Sequence, residues 1–184
     1  MTTHASELIE ITSEKHQVLL ELAYASTQNF TQKSHYLNPK CFLHRQAESN
    51  LTLAVNILKP LGLKLKIWDG FRPLRVQQAL FDFTPDPNYV SHPQTGRRPH
   101  CRGTALDVTL VDEQNNELDM GTGFDDFRML AHHGNTDIST EAQRNRLLLA
   151  GVMSVSGFEA ISSEWWHYQL SDLMEYPIIT DVDF

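Results

Sequence analysis

The segment Gly103-Thr104-Ala105-Leu106-Asp107-Val108-Thr109-Leu110 alternates with period two: Ala105, Asp107 and Thr109 share one face of a strand, and Leu106, Val108 and Leu110 share the other. Such a strand must bury its Leu-Val-Leu face while pointing a carboxylate away from it, which asks for a sheet with helices on one side and an open face. The rest of the chain supplies those parts. Leu63 to Trp68 alternates apolar with polar and reads as a half-buried strand ending at Asp69-Gly70. Helical spacing runs from Thr12 to Tyr24 and from Ala47 to Leu58; Leu51, Ala54, Val55 and Leu58 form the second stripe, and Pro60 and Gly62 stop it. A shorter helix is expected over Leu74 to Phe81, followed by an irregular loop from Thr84 to Arg98. Thr140 with Gln143 reads as a capping box for a helix through about Val155, with Leu148, Leu149, Val152 and Met153 inward and Gly157 at its end. A short last strand covers Ser163 to Leu170. The expected architecture is one α+β domain over residues 1–184, a small and mostly antiparallel sheet with helices packed on it.

A chain of 184 residues can bury a core without disulfides. Its 15 Lys and Arg against 23 Asp and Glu give a net charge of -8, and the basic residues are scattered, which sets nucleic acid aside as a partner. The start lacks a basic segment followed by an apolar one, and no long apolar run occurs anywhere, so a cytoplasmic location without a membrane partner is expected. Cys41 and Cys101 are too few for a disulfide framework and lack the C-x-x-C spacing of a thiolate zinc site.

A catalytic zinc takes three protein ligands from His and carboxylate side chains and keeps a fourth position open. His100 precedes Gly103, where the backbone can turn sharply, and Asp107 follows on the polar strand face. His167, in Ser163-Glu164-Trp165-Trp166-His167, completes the set for one Zn2+. Two His and one Asp leave the dication with enough charge to acidify a water, so the remaining acid, Glu164, is better used as general base than as a further ligand. Arg72, in Asp69-Gly70-Phe71-Arg72-Pro73, is placed to stabilise a developing oxyanion. Trp165 and Trp166 serve as core and as pocket wall, helping to keep the site dry.

His100-Cys101-Arg102-Gly103-Thr104-Ala105-Leu106-Asp107 together with Glu164-Trp165-Trp166-His167 resembles the H-x-x-G-x-A-x-D and E-W-W-H signature of the VanX-type D-alanyl-D-alanine dipeptidases. Further segments resemble that family in the same order: Tyr24-Ala25 with Asn29-Phe30-Thr31, Trp68 to Pro73, Met120 to Asp125, Glu141-Ala142-Gln143 and Ser156 to Glu159. The first motif alone is shared with related D,D-carboxypeptidases and L,D-peptidases. The resemblance implies the zinc fold of the hedgehog and D,D-peptidase group and cleavage of the free dipeptide D-Ala-D-Ala, with Asp125 and Tyr24 gripping the substrate ammonium. The chain departs from the family just before His100, where serines are common and Arg98-Pro99 stands here. Substrate tolerance is therefore expected to differ.

Plainer readings stand beside these. Arg72 could pair with Asp69 across its turn, Asp125-Asp126 could cap or solvate a turn, and Glu164 could be a ligand or orient an imidazole. His4, His16, His35, His44 and His92 are read as ordinary surface or core residues, and His132-His133 as loop residues that point apart. Cys101 has no evident base and is not read as a nucleophile. Two other functions remain open: a D,D-carboxypeptidase acting on longer peptidoglycan peptides, and a non-catalytic module of the same fold that binds muropeptides.

Overall fold

The computed structural model describes residues 7–180 and Val182, so His4 lies outside the described residues. The main sheet has the order β2-β4-β5-β7-β6, formed by Leu19–Leu20, Lys64–Asp69, Ala105–Val111, Glu164–Leu170 and Phe158–Ile161. All its pairings are antiparallel except β2 with β4, which is parallel. A second, two-stranded sheet pairs β1 (Leu8–Ile11) with β3 (Cys41–His44). The α+β expectation with a mostly antiparallel sheet therefore holds.

The apolar stripe of α2 (Arg45–Leu58) and that of α4 (Thr140–Val155) pack on each other and on this sheet. Leu51, Ala54, Leu58, Leu149 and Met153 are buried against Leu65, Ile67, Leu106, Val108, Leu110 and Tyr168. The other helices are α1 (Ser13–His16) and α3 (Leu74–Phe83), the latter two residues longer than its apolar spacing indicates. No helix among the described residues is long and apolar enough to cross a membrane.

Several local expectations are corrected. The Thr12–Tyr24 helix stops at His16, because Gln17 takes a left-handed conformation (φ 54°) and Leu19–Leu20 then pair with Lys66–Ile67 of β4. Tertiary pairing outweighs a helical stripe in so short a segment. The cap of α4 is Ser139, whose hydroxyl accepts from the Ala142 N–H at 3.0 Å; Gln143 instead donates to the Ile138 carbonyl. Strand β4 is buried rather than half-buried: Lys66 is only 5% exposed, and its ammonium is held between Glu21 and Glu117 at 2.7 Å each. Strands β1, β3 and β6 are additional to those read from the alternation.

Two irregularities shape the open face. Pairing of β4 with β5 shifts between Ile67 and Asp69, so Asp69 lies opposite Asp107. Asp107 in turn lies opposite His167 on β7. A row Asp69, Asp107, His167 thus crosses the three central strands. On the far side, β6 advances one residue from Ala160 to Ile161 while β7 runs from Tyr168 back to Glu164. That bulge brings Glu164 within 3.8 Å of His167 Nδ1, although strict alternation would set residues three apart on opposite faces.

Candidate metal centre and active site

His100 reaches this row from a single 3-10 turn, His100–Arg102, that ends at Gly103 (φ 69°). A Cβ at Gly103 would lie 2.7 Å from Leu8 Cδ2 and 2.9 Å from the His44 nitrogen. Gly103→Ala is therefore expected to destabilise the protein by about 2–5 kcal/mol, from left-handed strain and overpacking together. An unchanged urea midpoint would contradict this account of the turn. Two hydrogen bonds pin the turn to the end of β4: Arg72 N–H to the His100 carbonyl at 3.1 Å, and His100 Nδ1–H to the Gly70 carbonyl at 2.8 Å.

His100, Asp107 and His167 are all buried, and their potential ligand atoms lie within 4.8 Å of one another. Among the described residues this is the one group of three or more His, Cys, Asp or Glu side chains so arranged. His100 Nε2 lies 3.2 Å from His167 Nδ1 and 3.4 Å from Asp107 Oδ2, and His167 Nδ1 lies 3.1 Å from Asp107 Oδ1. Tetrahedral zinc with bonds of about 2.0–2.2 Å sets its ligands roughly 3.3–3.6 Å apart, so the spacing fits. The outer nitrogens fit as well. His100 Nδ1–H is taken by Gly70, and His167 Nε2–H by Gln169 Oε1 at 3.1 Å, which leaves one lone pair of each ring facing inward beside a carboxylate. Two inward lone pairs and an anion, all buried, call for a cation between them.

The electrostatics follow from burial and neighbours. Burial favours the neutral form of Asp107, but His100 and His167 outweigh it and hold the carboxyl far below its usual range. Burial lowers His167; without a metal its Nδ1 can instead hold a proton toward Asp107, and that hydrogen bond with the charges of Asp107 and Glu164 turns the net shift upward. Glu164 is pushed up to about 7, mainly by burial and further by the Asp107 charge, against the pull of His167 and Arg72. Burial, then Asp107, raise Asp125 well above an ordinary carboxyl.

Arg72 is buried. Its Nε donates to Asp69 Oδ2 at 2.8 Å, Nη1 to Gln77 Oε1 at 3.0 Å, and Nη2 lies 3.6 Å from Asp107 Oδ2. The pairing with Asp69 is thus present, and the guanidinium still reaches Asp107 in the row. Tyr24 lies under Arg72, its ring centre 5.0 Å from the guanidinium carbon, and donates its hydroxyl to Asp125 at 3.1 Å. Asp125 holds a positive φ of 56°, whereas its neighbour Asp126 serves the turn by pairing with Arg128. A cavity of about 210 Å³ has His100, Asp107, His167, Glu164, Arg72, Asp125 and Tyr24 in its wall. Trp166 lines it too, while Trp165 packs between Trp68 and Arg146.

Residues 4–181 match the peptidase family M15 model described as D-ala-D-ala dipeptidase. The chain belongs to this family. A D-alanyl-D-alanine dipeptidase of Escherichia coli (strain K12) is 41% identical over 176 residues, covering 96% of this chain and 91% of that protein. One from Enterococcus faecium is 33% identical over 178 residues, covering 85% and 88%. Among solved structures, VanYB in complex with D-Alanine-D-Alanine has a TM-score of 0.47 at 15% identity, over 77% of this chain and 78% of that one.

Within this M15 peptidase, several residues around the site escaped the motif reading. Gln169 orients His167; it stands two residues on, along the same strand, so alternation could have found it. Asp69, Tyr36 and Gln77 support Arg72, with the Tyr36 hydroxyl 2.5 Å from Asp69 Oδ1 and Gln77 Nε2 donating to the Ser91 carbonyl. Asp69 stands three residues before Arg72, and its pairing across the turn was legible; Tyr36 and Ser91 are distant in sequence, and no local pattern joins them to this segment. Cys101 is fully buried and its thiol is pushed up to about 12 by burial, which removes it as a nucleophile. Of the other histidines, His16 bonds Thr12 and Glu48, His35 bonds Thr31, His44 caps α2, and His133 lies against Tyr168.

Proposed function

We propose that this chain is a zinc-dependent dipeptidase that hydrolyses free D-Ala-D-Ala, with one zinc ion held by His100 Nε2, Asp107 and His167 Nδ1. The observation that carries this reading is the convergence of two oriented imidazoles and a buried carboxylate at tetrahedral spacing, with a carboxyl of raised pKa beside them. When bound, zinc supplies a Lewis acid that polarises the scissile carbonyl and makes a water easier to deprotonate.

Glu164 takes the proton from the attacking water as its oxygen bonds to the carbonyl carbon. It then delivers that proton to the leaving nitrogen as the C–N bond breaks, giving two molecules of D-alanine. Burial beside Asp107 makes this carboxylate a stronger proton acceptor than an ordinary one, which suits a group that must take a proton and then return it. Arg72 directs its Nη2 side toward the ligand row, where it stabilises the negative oxygen of the tetrahedral stage. Asp125, with Tyr24 holding its carboxylate, takes the substrate ammonium; a cation there also favours ionised Asp125. The cavity is smaller than the roughly 300–1,000 Å³ of drug-sized pockets, which suits a dipeptide better than a peptide chain.

The test is release of D-alanine from D-Ala-D-Ala by purified protein, with and without a chelator and after zinc is restored. Loss on chelation and recovery with about one equivalent of zinc per chain is the expected result. Release that ignores the chelator would remove zinc from the mechanism, and cleavage confined to longer peptides would move the substrate to peptidoglycan stems.

A further inference from the structure

The carboxylate that takes the substrate ammonium stands on irregular chain. Asp125 lies in the connection between β5 and α4, and from Thr122 to Phe127 no backbone–backbone hydrogen bond ties that connection to another element among the described residues. Asp125 itself holds a positive φ of 56°. A side chain on such backbone keeps one position only where the ends of the excursion are fixed and its middle is packed. Phe124 supplies the packing, stacked on Trp68 with ring centres 5.0 Å apart. The ends are fixed from α4.

Arg146 of that helix is only 4% exposed, and its hydrogen bonds go to carbonyls and a hydroxyl. Nε donates to the Met120 carbonyl at 2.7 Å, ahead of Asp125 in the chain. Nη1 donates to the carbonyls of Leu130 at 2.9 Å and His132 at 3.2 Å, beyond it. One guanidinium therefore gathers the start and the end of the loop at a single point, as in compact surface loops whose ends lie close together. Nη2 lies 3.4 Å from Thr122 Oγ1, and the same hydroxyl accepts from Trp165 Nε1 at 2.8 Å. The Trp165 ring also faces the guanidinium, its centre 5.6 Å from the central carbon. Because Trp165 follows Glu164 on β7, the loop is joined through Thr122 to the strand that carries the general base. A buried charge is costly unless its donors are met, and here the 120–132 segment meets them.

We propose that Arg146 is a positioning residue for the ammonium clamp: by pinning both ends of the 120–132 loop it sets the place of Asp125 and so determines the preference for a free amino end. This rests on the reading of Asp125 given above. A planar fork can serve both ends of the loop at once, whereas an ammonium is a point charge that serves one.

The experiment measures kcat and KM for D-Ala-D-Ala and for D-lactoyl-D-alanine, which carries a hydroxyl in place of the ammonium, with zinc content followed in parallel. In the wild type the dipeptide is expected to be preferred by about 10- to 100-fold in kcat/KM, the worth of one charge-assisted pair, and Asp125→Asn should bring that ratio near unity. Arg146→Lys should lower the ratio by about 3- to 10-fold, through KM for the dipeptide and at unchanged zinc content. Combined with Asp125→Asn it should lower the ratio no further, because the loop bears on the ammonium only through that carboxylate. Thr122→Val leaves Arg146 in place and removes the hydroxyl it shares with Trp165; it should shift the ratio the same way, and it decides the question if Arg146→Lys does not fold. A wild-type ratio in the deciding variant, or a further fall in the double variant, with the ratio collapsed in Asp125→Asn, would overturn the role of Arg146 alone. A ratio unmoved by Asp125→Asn, or zinc-loaded wild type that cleaves neither compound, would overturn the reading of the site and this inference with it.

Discussion

Replacing Glu164 by Gln is expected to lower kcat for D-Ala-D-Ala by about 10²- to 10⁴-fold while leaving zinc content unchanged. The three ligand side chains are oriented by Gly70, Gln169 and one another and do not depend on Glu164, which stands 3.8 Å from His167 Nδ1. Loss of zinc along with activity would instead make Glu164 a ligand. The same substitution separates function from stability. Glu164 has its pKa raised to about 7 in the folded protein from an ordinary 4.5, chiefly by burial. Between those values the metal-free folded state holds a proton that the unfolded chain has lost, so stability falls as pH rises through that window. Gln cannot lose that proton. In chelator, Glu164→Gln should therefore unfold at nearly the same urea concentration as wild type at pH 4 and be more stable at pH 8 by on the order of 3 kcal/mol. On the proposed reading, a general base buried at this position is held against the stability of the metal-free protein, and zinc, by favouring the carboxylate, would relieve that opposition.

How far the site could be read in advance depended on whether each residue sat on regular backbone. Alternation alone put Asp107 on the face away from Leu106 and Val108, because β5 is regular from Ala105 to Val111. The stripe of α2 was legible for the same reason: a helix of fourteen residues repeats its pattern often enough to outweigh local preference. The four-residue α1 does not, and Leu19 and Leu20 went to a strand edge that only the folded sheet provides. Glu164 and His167 could be named as partners by motif but not by geometry, since the bulge that puts them together depends on β6, a strand the periodicity did not show. Asp69 is the counterpart on β4, turned toward Asp107 by a second bulge. Irregular pairing is set by contacts between strands far apart in sequence, so it is where single-sequence reasoning ends and where this site is built.

Arg72→Met is expected to lower kcat by about 10²- to 10³-fold, as the loss of an oxyanion donor does, and to cost about 3–5 kcal/mol of stability by leaving Asp69 buried without its cation. Both effects come from one side chain, and a double-mutant cycle separates them. Asp69→Asn removes the buried charge while the Tyr36 hydroxyl can still donate to the remaining amide oxygen. The pair Asp69→Asn with Arg72→Met should therefore recover much of the stability lost in Arg72→Met, because no unpaired carboxylate remains, yet recover none of the rate. Were kcat to return with stability, Arg72 would be a structural partner of Asp69 and nothing more. Were kcat to stay low in a well-folded double variant, the half of the guanidinium that faces Asp107 rather than Asp69 would carry the chemistry. Arg72→Lys sharpens the distinction: an ammonium can satisfy Asp69 as a point charge, but it lacks the fork that reaches Asp69, Gln77 and the ligand row at once. Its expected profile is near-normal urea unfolding with most of the rate still missing, since stability needs one contact of this residue and catalysis needs the geometry of several.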